Sequence, residues 1–229
     1  MEGGPLSTPE FREFSKKVVL FLHITSRVEG EPHPDLMSEK GGLGWPFVSY
    51  LSETGEVMAQ QSYSKMEVAG FEETLADDVQ AYSVLAKKAA SGDVQAQAEF
   101  FMMRFELGTL SPAELEAALG KQGFLSDKQV VRVRLKLLEV ETQSILKGID
   151  YNAPETFGPY AAKLLALQKR VGLPEGAAGI NPWLVVLEDA YTRKDAPVFE
   201  MAFTALKAAG MRNDRFVQQR QKQLDEIKK

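Results

Sequence analysis

From Gly70 to the C-terminus the sequence offers no convincing strand, and this limits the fold more than any other feature. Helical patterns follow one another, separated by Gly, Pro, Asn and Asp. The first is read over residues 71–90 and ends at Ser91-Gly92. The next covers 93–107, where Val94, Gln97, Phe101 and Phe105 lie beside Ala96, Phe100, Met103 and Leu107 on one broad apolar face. Ser111-Pro112-Ala113-Glu114 sets a cap residue, a proline at the first helical position and a glutamate at the third, opening a short helix that ends at Gly120. A long helix opens at Ser126-Asp127 and runs to Lys147, with Val131, Leu135, Leu138, Thr142 and Ile145 at helical spacing. Further helices are read over 159–171, from Asn181-Pro182 to Arg193, from Asp195-Ala196-Pro197 to Gly210, and over 214–229. Helices of roughly 10–20 residues joined by short turns pack as antiparallel neighbours, in a bundle or an α-solenoid.

The first 65 residues read differently. Val18-Val-Leu-Phe-Leu-His-Ile24 is a continuous β-rich apolar run, which fits a strand buried on both faces. A loop with Gly30, Pro32 and Pro34 leads to a short helix over 35–40, stopped by Gly41-Gly42. Apolar runs over 47–51 and 56–60 flank Ser52-Glu-Thr-Gly55 and read as a β-hairpin. The order expected is strand, helix, strand, strand.

The chain has 229 residues and no cysteine, which excludes disulfides, thiolate metal sites, iron–sulfur clusters and cysteine nucleophiles. Only His23 and His33 offer imidazole ligands, so a zinc site would have to be built mostly from carboxylates, which is uncommon, and no metal or other cofactor is expected. A net charge of −5 with scattered basic residues speaks against a nucleic-acid partner. The longest apolar run is too short to span a bilayer, which needs ~20 residues. The N-terminal residues form no signal peptide. The sequence does not decide the location: cytoplasmic, or periplasmic if a signal was removed ahead of Met1. No P-loop, G-x-G-x-x-G, H-E-x-x-H, G-x-S-x-G or EF-hand pattern occurs.

Three features of the N-terminal part resemble the thioredoxin superfamily. Residues 18–24 resemble the central strand that leads to the active-site loop. Gly44-Trp45-Pro46-Phe47-Val48-Ser49-Tyr50-Leu51 resembles the segment where a cis-proline opens the next strand. Glu53-Thr54-Gly55-Glu56-Val57 resembles the following hairpin turn. The resemblance implies a cis Pro46 facing a loop at Thr25, Ser26 and Arg27, with no Cys-x-x-Cys pair. Arg27 and Gly30 fall where the two thiols would sit, and neither can carry thiol–disulfide exchange. The stretch from Arg27 to Pro46 leaves no room for the family's intervening strand and helix, so the domain is expected to be shortened. Further on, residues 86–100 resemble one inter-repeat junction of tetratricopeptide-type repeats, with Gly92-Asp93 between helices and alanines at the contact.

The expectation is therefore an α+β chain: a small thioredoxin-like sheet domain over 1–68, then an all-helical bundle or repeat domain over 69–229. Its expected role is redox-inactive binding or scaffolding of a protein or peptide partner. The candidate binding residues are Thr25, Ser26, Arg27, Trp45 and Pro46: Arg27 to hold a carboxylate, Ser26 as a hydrogen-bond donor, and Trp45 as an aromatic anchor. Two rival readings stand beside it. A small thioredoxin-like domain followed by a helical one is similar in layout to glutathione transferases; there Ser26 would hold the glutathione thiolate and Gln61-Ser62 its γ-glutamyl end. The other is a purely structural helical-repeat protein whose N-terminal part caps the array. Trp183 and the Phe100-Phe-Met-Met103 run are read as core.

Overall fold

Thr8 and Pro9 start the first helix of a computed structural model that describes residues 4–23, 33–42 and 44–228. Proline occupies the first turn of α1 (Pro9–Phe14), and the Thr8 hydroxyl accepts from the Phe11 amide at 3.1 Å. Phe11 and Phe14, three positions apart, share a helical face. Both rings meet Phe71, with centroids 5.8–5.9 Å apart. This helix has no counterpart in the sequence reading.

The short helix expected over 35–40 is α2 (Leu36–Glu39). It ends at Gly41, whose φ is 82°. A Cβ there would lie 2.6 Å from the Leu107 carbonyl oxygen, so only glycine fits this approach. The expected hairpin is present as β1 (Ser49–Leu51) and β2 (Val57–Gln60), paired antiparallel. Ser49 faces Gln60, Tyr50 faces Ala59, and the register shifts before Leu51 meets Val57. Gly55, at φ 79°, closes the turn by donating its amide to the Ser52 carbonyl at 3.0 Å.

The buried central strand expected over 18–24 is corrected by the structure. Residues 18–23 form no strand, and among the described residues the sheet consists of β1 and β2 alone. Val19, Leu20, Phe21 and Leu22 are 58–97% exposed. A strand is buried on both faces only when neighbouring strands flank it and helices cover it. Two short strands supply neither, so the apolar run stays in the open. No thioredoxin-like sheet is seen among the described residues.

The chain divides into two compact units, Met1–Ser126 and Asp127–Lys229. The division expected between residues 68 and 69 falls inside the first. That unit continues with α3 (Val68–Ala76), α4 (Asp78–Ala90), α5 (Val94–Glu106) and α6 (Pro112–Leu119). One helix expected over 71–90 is thus two, interrupted at Asp77, where φ is −100° and ψ −64°. Between α4 and α5 the Asp93 carboxylate accepts from the Ala96 amide at 3.0 Å, and Tyr82 stacks edge-on against Phe100 at 5.0 Å. The expected capping box at Ser111 and Glu114 is formed.

The second unit comprises α7 (Asp127–Leu146), α8 (Gly158–Arg170), α9 (Ile180–Thr192), α10 (Ala196–Ala208) and α11 (Asp214–Ile227). Helix α9 packs against α8, α10 and α11. Leu164, Leu187, Phe199 and Leu206 are fully buried in its core, joined by Trp183 as expected. The molecule is mostly helical with one small antiparallel hairpin. Among the described residues no helix is long and apolar enough to cross a membrane.

Candidate functional site: an open apolar segment beside the hairpin

The phenylalanine cluster of the first unit organises the surface above it. Val18, Val48 and Tyr50 pack onto Phe11, Phe14 and Phe71. The Tyr50 hydroxyl donates to the Phe71 carbonyl at 2.9 Å, tying β1 to α3. Burial of that phenol pushes its pKa up to about 12. At the edge of the cluster Lys17 pairs with Glu72 at 2.6 Å.

Beyond Val18 the chain leaves this anchor. Successive side chains of an extended segment point to opposite sides, so four exposed apolar residues in a row leave both sides of residues 19–22 open. Among the described residues no backbone hydrogen bond joins 19–22 to another segment. Such a run presents unpaired N–H and C=O groups together with apolar side chains, which is what an added β-strand uses. Trp45, 73% exposed, precedes Pro46 and lies three positions before Val48 on the same cluster. Val18 and Val48 therefore root the two exposed apolar elements at one place.

The sequence-derived candidates fare unevenly. The Trp45–Pro46 peptide bond is cis, as the resemblance implies. Thr25, Ser26 and Arg27 lie outside the described residues. The residues flanking that stretch are joined, because His23 Nε2 donates to the His33 carbonyl oxygen at 3.0 Å. Gln61, the residue assigned to a γ-glutamyl end, turns inward. Its amide donates to the Lys65 carbonyl at 2.7 Å and its oxygen accepts from Tyr50 at 3.4 Å. Among the described residues no group of three or more histidines and acids gathers as a metal site would need. The sequence reading placed residues 18–24 in the core and so missed 19–22 as surface; Ile24 lies outside the described residues. The signal was the spacing from Arg27 to Pro46, which leaves the run without the strands that would cover it.

No protein-family model, no curated protein and no solved structure matches this chain.

Proposed function

We propose that this chain is a redox-inactive binding protein that takes an extended apolar segment of a protein partner along residues 19–22, with Trp45 beside it. The observation that carries the reading is the open state of Val19, Leu20, Phe21 and Leu22, which present apolar side chains and, among the described residues, an unpaired backbone at once. Apolar groups at this density are costly to leave in water; covering each large one contributes roughly 1.5–3 kcal/mol. A partner strand satisfies both needs, with main-chain hydrogen bonds giving affinity and side-chain pockets giving selectivity. The absence of cysteine fits binding without thiol exchange.

A tiled array of short peptides tests this. Peptides with extended apolar runs are expected to be retained and polar ones washed off. Phe21→Asp and Trp45→Ala should each weaken retention by about tenfold or more, the loss usual for a central anchor. Both side chains are exposed, so the unfolding midpoint should hold. Equal retention of polar and apolar peptides would refute the reading, as would binding unchanged in both variants.

A further inference from the structure

Stretches of the first unit far apart in sequence converge on a cleft of about 240 Å³. Glu39 and Lys40 come from the end of α2, Glu56 from the hairpin turn, Tyr82 from α4 and Arg104 from α5. Pockets for drug-sized ligands run to about 300–1,000 Å³, so this volume suits a smaller metabolite.

Tyr82 is only 4% exposed, with its ring held against Phe100. Its ring is buried, while its hydroxyl opens to the cleft and has no hydrogen-bond partner among the described residues. A hydroxyl with no protein partner can donate to a group held in the cleft. Arg104 uses one terminal nitrogen on Glu114 at 2.8 Å, which fixes the guanidinium and leaves other N–H groups spare. The Lys40 ammonium donates to the Gly55 carbonyl at 2.7 Å and keeps further donors. Opposed to these, the Glu39 and Glu56 carboxylates have no hydrogen-bonded or ion-paired partner among the described residues.

One small space thus holds anchored cationic donors, two unpaired carboxylates and a tyrosine hydroxyl without a protein partner among the described residues. A simple anion would bring a third negative charge to Glu39 and Glu56. A simple cation would face Lys40 and Arg104. We propose that this cleft binds a small zwitterion, an unmodified α-amino acid, with its carboxylate toward Arg104, Lys40 and the Tyr82 hydroxyl and its ammonium toward Glu39 and Glu56. The site is separate from residues 19–22 and does not depend on the peptide-binding reading.

Titration calorimetry on the full chain tests it, using the proteinogenic amino acids one by one. For any that binds, the N-acetyl derivative and the amide are measured as well. At least one amino acid is expected to bind saturably, with both capped forms about tenfold weaker or worse, since each loses an ion-paired contact. Tyr82→Phe keeps the ring on Phe100 and removes only the unpaired hydroxyl. It should leave the unfolding midpoint in place and weaken binding by about tenfold. Glu56→Gln, at an exposed turn, should do the same. No binding of any amino acid at millimolar concentration overturns the proposal. So does equal affinity for a capped derivative, or wild-type affinity in both variants.

Discussion

The Tyr50 hydroxyl donates to the Phe71 carbonyl at 2.9 Å while its side chain packs against the phenylalanine cluster. Burial favours the neutral phenol, so its pKa rises from the ordinary 10.0 to about 12. Below pH 10 folded and unfolded chains both hold this proton, and the group adds no pH dependence. Between pH 10 and 12 the unfolded chain releases it first, so stability falls as pH rises. Burial also raises the pKa of Tyr82 and Tyr151, so the wild-type decline is shared among them. Tyr50→Phe isolates one contribution. It should lower stability near neutral pH by about 0.5–1.5 kcal/mol through the lost hydrogen bond, and it should make the decline from pH 10 to 12 shallower. Urea midpoints of both proteins across that range check this; parallel curves would contradict it.

At the scale of elements, the turn between α9 and α10 shows how the chain stops one helix and starts the next. The Asp195 amide donates to the Ala190 carbonyl at 2.9 Å and the Lys194 amide to the Tyr191 carbonyl at 3.1 Å, the paired bonds of a Schellman ending. This geometry sets Lys194 at φ 57°, where a side chain crowds the backbone. Asp195 then caps α10 by accepting from the Val198 amide at 3.2 Å. Lys194→Gly should stabilise the protein by about 0.5–1 kcal/mol, because glycine adopts this conformation without the clash, at some entropic cost in the unfolded chain. A lowered thermal midpoint would show that the lysine is not strained there. Elements of this kind were legible in the sequence because their signals are local. Ser111-Pro112 announced α6, Asp195-Ala196-Pro197 announced α10, and the Gly55 turn announced the hairpin. The apolar run over 18–24 was misread for the opposite reason. Its composition specified an extended, β-rich segment, but burial depends on which distant strands arrive to cover it. Phe11 and Phe14 carried a local signal, a capped start and a three-residue spacing, but the sequence reading assigned no element to them. The mixed-charge cleft was invisible for the same reason as the missing sheet: Glu39, Glu56, Tyr82 and Arg104 carry no shared spacing, and only the folded chain brings them together.

At the scale of the whole molecule, the second unit contains its own complete core. Phe157, Leu164, Trp183, Leu187, Phe199, Leu206 and Leu224 pack as one cluster, and the partly buried residues around it, from Leu138 to Ile227, also lie within Asp127–Lys229. Its α9–α10 hairpin is closed by the Schellman turn. Two ion pairs also join α11 and its C-cap to neighbouring helices: Arg220 with Glu188, and Lys228 with Glu200 at 2.9 Å. A segment whose buried side chains contact one another has the internal burial that independent folding requires. Residues 127–229 expressed alone should therefore be helical by circular dichroism and should unfold in urea as one cooperative transition. The full chain, with two units, need not unfold in a single step. Leu187→Ala supplies the internal control. Deleting a fully buried leucine costs about 2–5 kcal/mol, and all of its core neighbours are in the fragment. The loss should be the same in the fragment as in the second unit of the full chain. A fragment that melts gradually, or one in which Leu187→Ala changes nothing, would mean that this core forms only with the rest of the chain present.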